Sequence, residues 1–220
     1  MKKIIAFFVS VMLLLALAAP ALAATPDLTF VKANPDVFSL TTSEDGEDLY
    51  VSTVLTAKNL HFVHKYESNY YWSFTRFEIA VPDYQTDEAA PLWQLWITYS
   101  NDLKIMEIDS VTFIVNGRSF TFSGISDPRL QTQKENGFIE EMMICFGSEG
   151  LDFLLAMEEY CGTLNDANDF RCTMILHGSE DITVTLGGAF VLDFLSTRQA
   201  YMEMGVNTLQ AMPGTPMTAR

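Results

Sequence analysis

Apolar and polar residues alternate with a period of two along most of this chain, and this pattern restricts it to folds built on β-strands. The clearest run is Trp93, Leu95, Ile97 and Tyr99, in which every second residue is apolar. Similar runs predict further strands at 37–42, 49–57, 138–146, 170–177 and 182–186. About nine short strands are expected in all.

One pair of strands can be assigned with its register. Asn116-Gly117 is the preferred pair for a two-residue type I′ turn. A turn there pairs Val115 with Arg118, Phe113 with Phe120 and Val111 with Phe122. The large apolar residues then share one face, as the burial of one face of a hairpin requires.

The long aromatic run from residue 70 predicts an irregular strand. Apolar residues occupy the even positions Tyr70, Trp72 and Phe74, whereas from Phe77 onwards they occupy the odd ones. Such a switch of face predicts a β-bulge near Thr75-Arg76.

Helical spacing appears only in the C-terminal half of the chain. It predicts a short helix at about 149–160, ended by Gly162, and a longer one from Phe190 to a C-cap at Gly205. No glycine-rich phosphate loop follows a strand. We therefore expect a mainly β fold, an antiparallel β-sandwich-like or α+β domain with one or two helices in its C-terminal half.

The first 23 residues have the pattern of a cleaved secretory signal peptide. Lys2 and Lys3 precede an apolar run over 4–19, and 20–23 end in a small-x-small site, so we expect cleavage after Ala23. A leader of this kind is typical of a bacterial exported protein. The expected organisation is a signal peptide at 1–23, one β-rich domain at 24–205 and a disordered tail at 206–220, and the mature protein is expected to be soluble and secreted.

The charge balance is strongly acidic and argues against nucleic acid as a partner. The chain carries 28 acidic and 13 basic side chains, a formal net charge of −15. Loss of the leader with its two lysines makes the charge −17. Phosphate backbones are bound by clustered Lys and Arg, which are scarce here. We expect no nucleic acid partner and no membrane insertion after cleavage.

Three cysteines, Cys145, Cys161 and Cys172, allow at most one disulfide within the chain. Pairing 145–161, 145–172 or 161–172 is open on the sequence, and three free thiols are the favoured state. Cys145 and Cys172 lie in apolar, strand-like runs, where cysteine commonly acts as a small hydrophobic residue.

Motifs for catalysis or metal binding are not found in the sequence. Cys145-Phe146-Gly147-Ser148-Glu149-Gly150 lacks the spacing of a serine nucleophile elbow. His61 and His64 lie in a predicted strand, where a three-residue spacing does not place both on one face. The acidic turns at 44–48 and 165–169 do not match a calcium loop, and solvated loops are the favoured reading. We expect no catalytic residue, metal or cofactor.

Aromatic residues are concentrated between Phe62 and Tyr99, and all three tryptophans lie there. Trp93 shares its face with Leu95 and Ile97 and is expected in the core. Trp96 falls on the opposite face, so Trp96, Tyr71 and Trp72 are the candidate binding residues. Exposed Trp and Tyr present a flat apolar ring with a polar atom, which suits a sugar ring or a protein partner.

These observations favour an exported, non-enzymatic binding or interaction module whose partner is an extracellular glycan or a protein. One alternative is an extracellular enzyme that acts on a polymer through a carboxylate pair. Another is a structural subunit of a surface assembly, for which an exposed sheet edge completed by another chain would be the sign.

Overall fold

The computed structural model describes residues 26–54, 60–66, 69–86, 91–102, 104–123, 132–134, 137–146 and 150–205, with the backbone alone at 60–66, 69–71 and 132–134. Its strands are β1 (Phe38–Thr42), β2 (Leu49–Thr53), β3 (Leu60–Tyr66), β4 (Asn69–Val81), β5 (Leu92–Asn101), β6 (Ser110–Val115), β7 (Arg118–Ser123), β8 (Thr132–Lys134), β9 (Gly137–Cys145), β10 (Cys172–His177) and β11 (Ile182–Leu186). The helices are α1 (Thr29–Ala33), α2 (Leu151–Gly162) and α3 (Gly188–Glu203). Gly162 ends α2 as expected, and Gly205, with φ +79°, follows α3.

The strands form two antiparallel sheets, so the expected mainly β, antiparallel class is confirmed. The first sheet has the order β1-β2-β4-β5-β9-β8, and β3 also pairs with β4. The second has the order β11-β10-β6-β7. Among the described residues, no helix is both long enough and apolar enough to cross a membrane.

The hairpin at Asn116-Gly117 has the register expected from the sequence. Val115 pairs with Arg118, Phe113 with Phe120 and Val111 with Phe122. Asn116 and Gly117 both have positive φ, +47° and +79°, as a type I′ turn requires. Local turn chemistry is thus sufficient to set this pairing.

The prediction of a β-bulge near Thr75-Arg76 is wrong. β4 and β5 pair without a break from Tyr71↔Asn101 to Ala80↔Leu92. The irregularity lies in β3 instead, between Phe62 and His64. The change in the apolar pattern of β4 has another cause: the odd positions from Ser73 to Val81 are all buried, and the first two of these residues, Ser73 and Thr75, are polar.

The core joins both sheets to the helices. Phe77 of β4 packs on Phe190 and Phe194 of α3 at ring-centre distances of 5.1 and 5.5 Å. Trp93 stacks on Phe194 at 5.5 Å and is 1 % exposed, so its expected place in the core is confirmed. Phe190 also lies 6.4 Å from Phe113 of the second sheet. Burial of these rings is a major source of stability, because each removes a large apolar area from water.

A buried carboxylate fastens α3 to the first sheet. Asp193 is fully buried and accepts hydrogen bonds from the Phe77 amide at 3.0 Å and from Thr53 Oγ1 at 2.7 Å. The ladder between β2 and β4 runs only as far as the Ser52↔Glu78 pair. Asp193 therefore satisfies a backbone donor of β4 at the place where this ladder ends.

Candidate functional site

The outward face of the first sheet carries aromatic side chains while polar ones are buried behind it. In β4 the odd-numbered Ser73 and Thr75 are fully buried, and the even-numbered Trp72 and Phe74 are only half-buried on the other face. The hydroxyls of Ser73 and Thr75 have no hydrogen-bond partner among the described residues. This arrangement reverses the usual distribution of polar and apolar residues across a sheet.

Three strands bring these aromatic residues together. The pairing of β4, β5 and β9 places Trp72 beside Ser100 and Ile139, Phe74 beside Thr98 and Glu141, and Arg76 beside Trp96 and Met143. Together they line a groove of about 440 Å³. We call this the aromatic groove; its residues are Trp72, Phe74, Arg76, Trp96, Thr98, Ile139 and Glu141. Its volume lies within the range of sites for small ligands.

One end of the aromatic groove is held by Glu78. The Trp96 indole Nε1 donates to Glu78 Oε1 at 3.1 Å, and Arg76 Nε lies 3.4 Å from Glu78 Oε2. The Arg76 guanidinium carbon lies 5.6 Å from the centre of the Trp96 ring, within cation–π range. Burial raises the pKa of the Glu78 carboxyl, although Arg76 and the Trp96 hydrogen bond act in the opposite direction. The ring and the guanidinium thus share one buried carboxylate.

The middle of the aromatic groove is polar. Thr98 Oγ1 donates to Glu141 Oε1 at 3.2 Å, and both side chains are half-buried. Phe74 lies beside Thr98 on the neighbouring strand. The groove therefore combines aromatic ring surfaces with hydroxyl, carboxylate and guanidinium groups. These polar groups can donate hydrogen bonds to a bound ligand and accept them from it.

Two of the three binding residues predicted from the sequence lie in the aromatic groove. Trp72 and Trp96 both line it. Tyr71 pairs through its backbone with Asn101, but its side chain lies outside the described residues, so its role stays a prediction. The sequence could have indicated Phe74 and Arg76, because alternate residues of a strand lie on one face and these two alternate with Trp72. It could not have indicated Ile139 and Glu141, since nothing in the sequence pairs β9 with β5.

A second hydrogen-bonded cluster lies on the second sheet and was missed in the sequence. Thr112 Oγ1 lies 2.8 Å from His177 Nε2, and His177 Nδ1 lies 2.8 Å from Asp181 Oδ1. Hydroxyl, imidazole and carboxylate in this order have the connectivity of an activated nucleophile. However, Thr112 Oγ1 also lies 2.8 Å from Thr121 Oγ1, so this series of hydrogen bonds connects β6, β7 and β10. We interpret it as a polar tie between strands.

The acidic turns make hydrogen bonds to their own chain. Asp45 Oδ1 accepts from Ser43 Oγ and from the Glu47 amide, and the Ser43 hydrogen bond is the main cause of its lowered pKa. Asp166 likewise caps the 3₁₀ turn Ala167–Asp169 through the Asn168 amide. In the described part of the chain, no group of three or more His, Cys, Asp or Glu side chains is arranged to hold a metal ion.

All three cysteines are free thiols in the structure, the state that the sequence favoured. Cys172 is buried, 1 % exposed, within β10, as expected for a small hydrophobic residue. Burial raises the pKa of Cys172 to about 12 and that of Cys161 to about 11. Thiols with such values carry little thiolate and are poor nucleophiles.

Comparisons with protein-family models, with curated proteins and with solved structures found no match to this chain.

Proposed function

We propose that this protein is an exported, non-enzymatic binding module that recognises a neutral saccharide chain through the aromatic groove. The observation that carries the proposal is the reversal in β4, where Trp72 and Phe74 are directed to the outer face while Ser73 and Thr75 are buried. Buried hydroxyls without partners cost free energy. A ligand that covers the half-exposed Trp72 and Phe74 rings would explain why they are placed on the outer face.

The chemistry of the aromatic groove suits sugar rings. A pyranose presents an apolar C–H face, which packs on an aromatic ring, and an equatorial belt of hydroxyls, which needs both donors and acceptors. The Trp72, Phe74 and Trp96 rings supply the apolar surfaces. Arg76 supplies donors, and Glu141 supplies acceptors that Thr98 already holds in place.

The spacing of the two tryptophans favours a chain over a single sugar. Trp72 pairs with Ser100, which is four residues from Trp96 along β5. Strand geometry then separates the two Cα atoms by about 14 Å. That span exceeds one pyranose ring, and several linked sugar units match it better than a single sugar.

Charge favours a neutral ligand. The positive charge of Arg76 is balanced by Glu78, which leaves Glu141 as the unbalanced charge of the groove. The whole chain carries a net charge of −15. A field of this sign repels anionic polymers such as uronate-rich glycans, while a neutral chain is unaffected.

Two acidic residues belong to this region, and both carboxylates already have side-chain partners, as suits binding rather than hydrolysis. Glu78 lies on β4 and Glu141 on β9, with β5 between the two strands. The β9 residue in line with Glu78 is Cys145, which is four residues from Glu141. Their Cα atoms are then about 17 Å apart, and Glu141 Oε1 accepts a hydrogen bond from Thr98 Oγ1. Glu78 is in addition engaged by Trp96 and Arg76.

The test is a binding assay of the purified protein against soluble polymers of known charge. Mixed-linkage β-glucan, xyloglucan, galactomannan and pullulan are the neutral probes, and polygalacturonate is the anionic one. We expect at least one neutral polymer to bind, and Trp96→Ala to weaken its binding by about 30-fold, the loss of a central aromatic contact. Trp72→Ala should weaken it as well.

Arg118 and Phe120 of the second sheet provide a matched control. The Arg118 guanidinium carbon lies 5.3 Å from the centre of the Phe120 ring, the same kind of pair as Arg76 and Trp96 but on the other sheet. Arg118→Ala should leave binding unchanged, whereas Arg76→Ala should weaken it. Binding of no neutral polymer, or binding that both tryptophan variants retain, would overturn the proposal.

A further inference from the structure

Glu78 occupies a place where a carboxylate is not expected. It lies at an even position of β4, on the same outward face as Trp72 and Phe74, yet only 5 % of it is exposed. A carboxylate on the outer face of a sheet can normally extend into water at little cost. Burial of its charge is expensive unless it is paired and hydrogen-bonded.

The partners of Glu78 belong to the aromatic groove. One oxygen accepts from the Trp96 indole, and the other lies beside Arg76 Nε. The bond to Oε1 fixes the rotation of the indole, because Nε1 has a single direction in which to donate. The contact with Oε2 keeps the guanidinium over the Trp96 ring. Both groups lose their anchor if this carboxylate is neutralised or removed.

We infer that Glu78 is the positioning residue of the aromatic groove, and that its ionised carboxylate sets Trp96 and Arg76 for the ligand, so that binding weakens when the carboxylate is protonated. This inference rests on the proposed function for its ligand. The arrangement of Trp96 itself is open to measurement without one.

In the part of the chain that the structure describes, few charged or titratable groups lie near Glu78. On its own strand it faces Arg76. Across β2 its register partner is Ser52, and Tyr50 of that strand, whose hydroxyl donates to Asp48, is close enough for the Glu78 charge to contribute to its raised pKa. Across β5 it pairs with Gln94, beyond which lies Cys145 of β9. Arg76 is the one cation in this set, so protonation of Glu78 leaves that cation without its counter-charge.

The first experiment measures affinity for the best-bound neutral polymer between pH 4 and pH 7. Wild-type affinity should fall by about fivefold at the acidic end, the effect of losing a partly buried ion pair. Glu78→Gln keeps an acceptor for the indole but cannot pair with Arg76, so it should bind weakly and equally at every pH. Glu141→Gln controls for the other carboxylate of the groove and should retain the pH dependence, whatever its affinity.

The second experiment follows tryptophan fluorescence without ligand over the same pH range, with far-UV circular dichroism to verify that the fold persists. The wild type should show a change in emission that is absent from both Trp96→Phe and Glu78→Gln. If this change is present but no polymer binds, the positioning role stands and the proposed function fails. If polymer binding is independent of pH, or if Glu78→Gln behaves as the wild type, the inference is wrong.

Discussion

Arg76 and Trp96 lie directly opposite each other on β4 and β5, with the guanidinium carbon 5.6 Å from the centre of the indole ring. Both depend on the same buried carboxylate, that of Glu78. A cation, a ring and an anion are therefore fixed together at one end of the aromatic groove. Side chains held in place in this way need no large rearrangement to bind a ligand, which reduces the entropic cost of binding.

The link between α3 and the first sheet should depend on Asp193. Asp193→Ala leaves the Phe77 amide and the Thr53 hydroxyl without their acceptor inside the core, so we expect a loss of about 2–4 kcal/mol in the free energy of unfolding. Asp193→Asn retains one acceptor oxygen and should cost less. Urea denaturation measures both. Equal stability of the alanine variant and the wild type would contradict this role.

The thiol of Cys172 should be unreactive in the folded protein. It is 1 % exposed, and burial raises its pKa to about 12, so both access and thiolate content are low. A disulfide reagent at pH 8 should label all three cysteines in denaturant but spare Cys172 under native conditions. The variant Cys172→Ser should then give the same native labelling as the wild type. Rapid native labelling of Cys172, mapped by mass spectrometry, would contradict the structure.

Stability should depend on pH through Glu78 in a direction opposite to that of a carboxylate whose pKa is lowered in the folded state. Burial raises its pKa in the folded state above the ordinary value of 4.5. The folded state thus favours the protonated form, and the cost of the buried charge appears as the pH rises through the folded pKa. Relative to Glu78→Gln, the wild type should become more stable as the pH falls from 7 and reach a plateau below about 4.5.

Thermal melts of the two proteins at matched pH values measure this difference, and other carboxylates cancel in the comparison. A difference that is constant over the range would show that Glu78 titrates as an exposed group.

Local sequence signals predicted local structure well. The Asn116-Gly117 hairpin was placed with its full register because its turn and its alternation lie within twelve residues. The two C-terminal helices were predicted near their observed bounds for the same reason. The pairing of β5 with β9 joins residues that are 37 to 51 positions apart, and no turn signal encodes it.

The error at Thr75-Arg76 has a physical cause that bears on function. The bulge was expected because the apolar residues of β4 change parity, while large apolar residues usually share one buried face. The structure instead buries Ser73 and Thr75 and places Trp72 and Phe74 outside. A strand that violates the rule from Trp72 to Thr75 marks the site, since such local conflicts are expected where function constrains the fold.

The most direct test of the account follows the three indole N–H signals in a ¹⁵N–¹H spectrum while a neutral oligosaccharide is added. Trp72 and Trp96 line the aromatic groove, whereas Trp93 is enclosed by the core. Assignment by Trp72→Phe and Trp96→Phe identifies each signal. We expect the Trp72 and Trp96 signals to shift in a saturable manner, while the Trp93 signal stays in place. Saturable binding that shifts neither the Trp72 nor the Trp96 signal would contradict the proposed site.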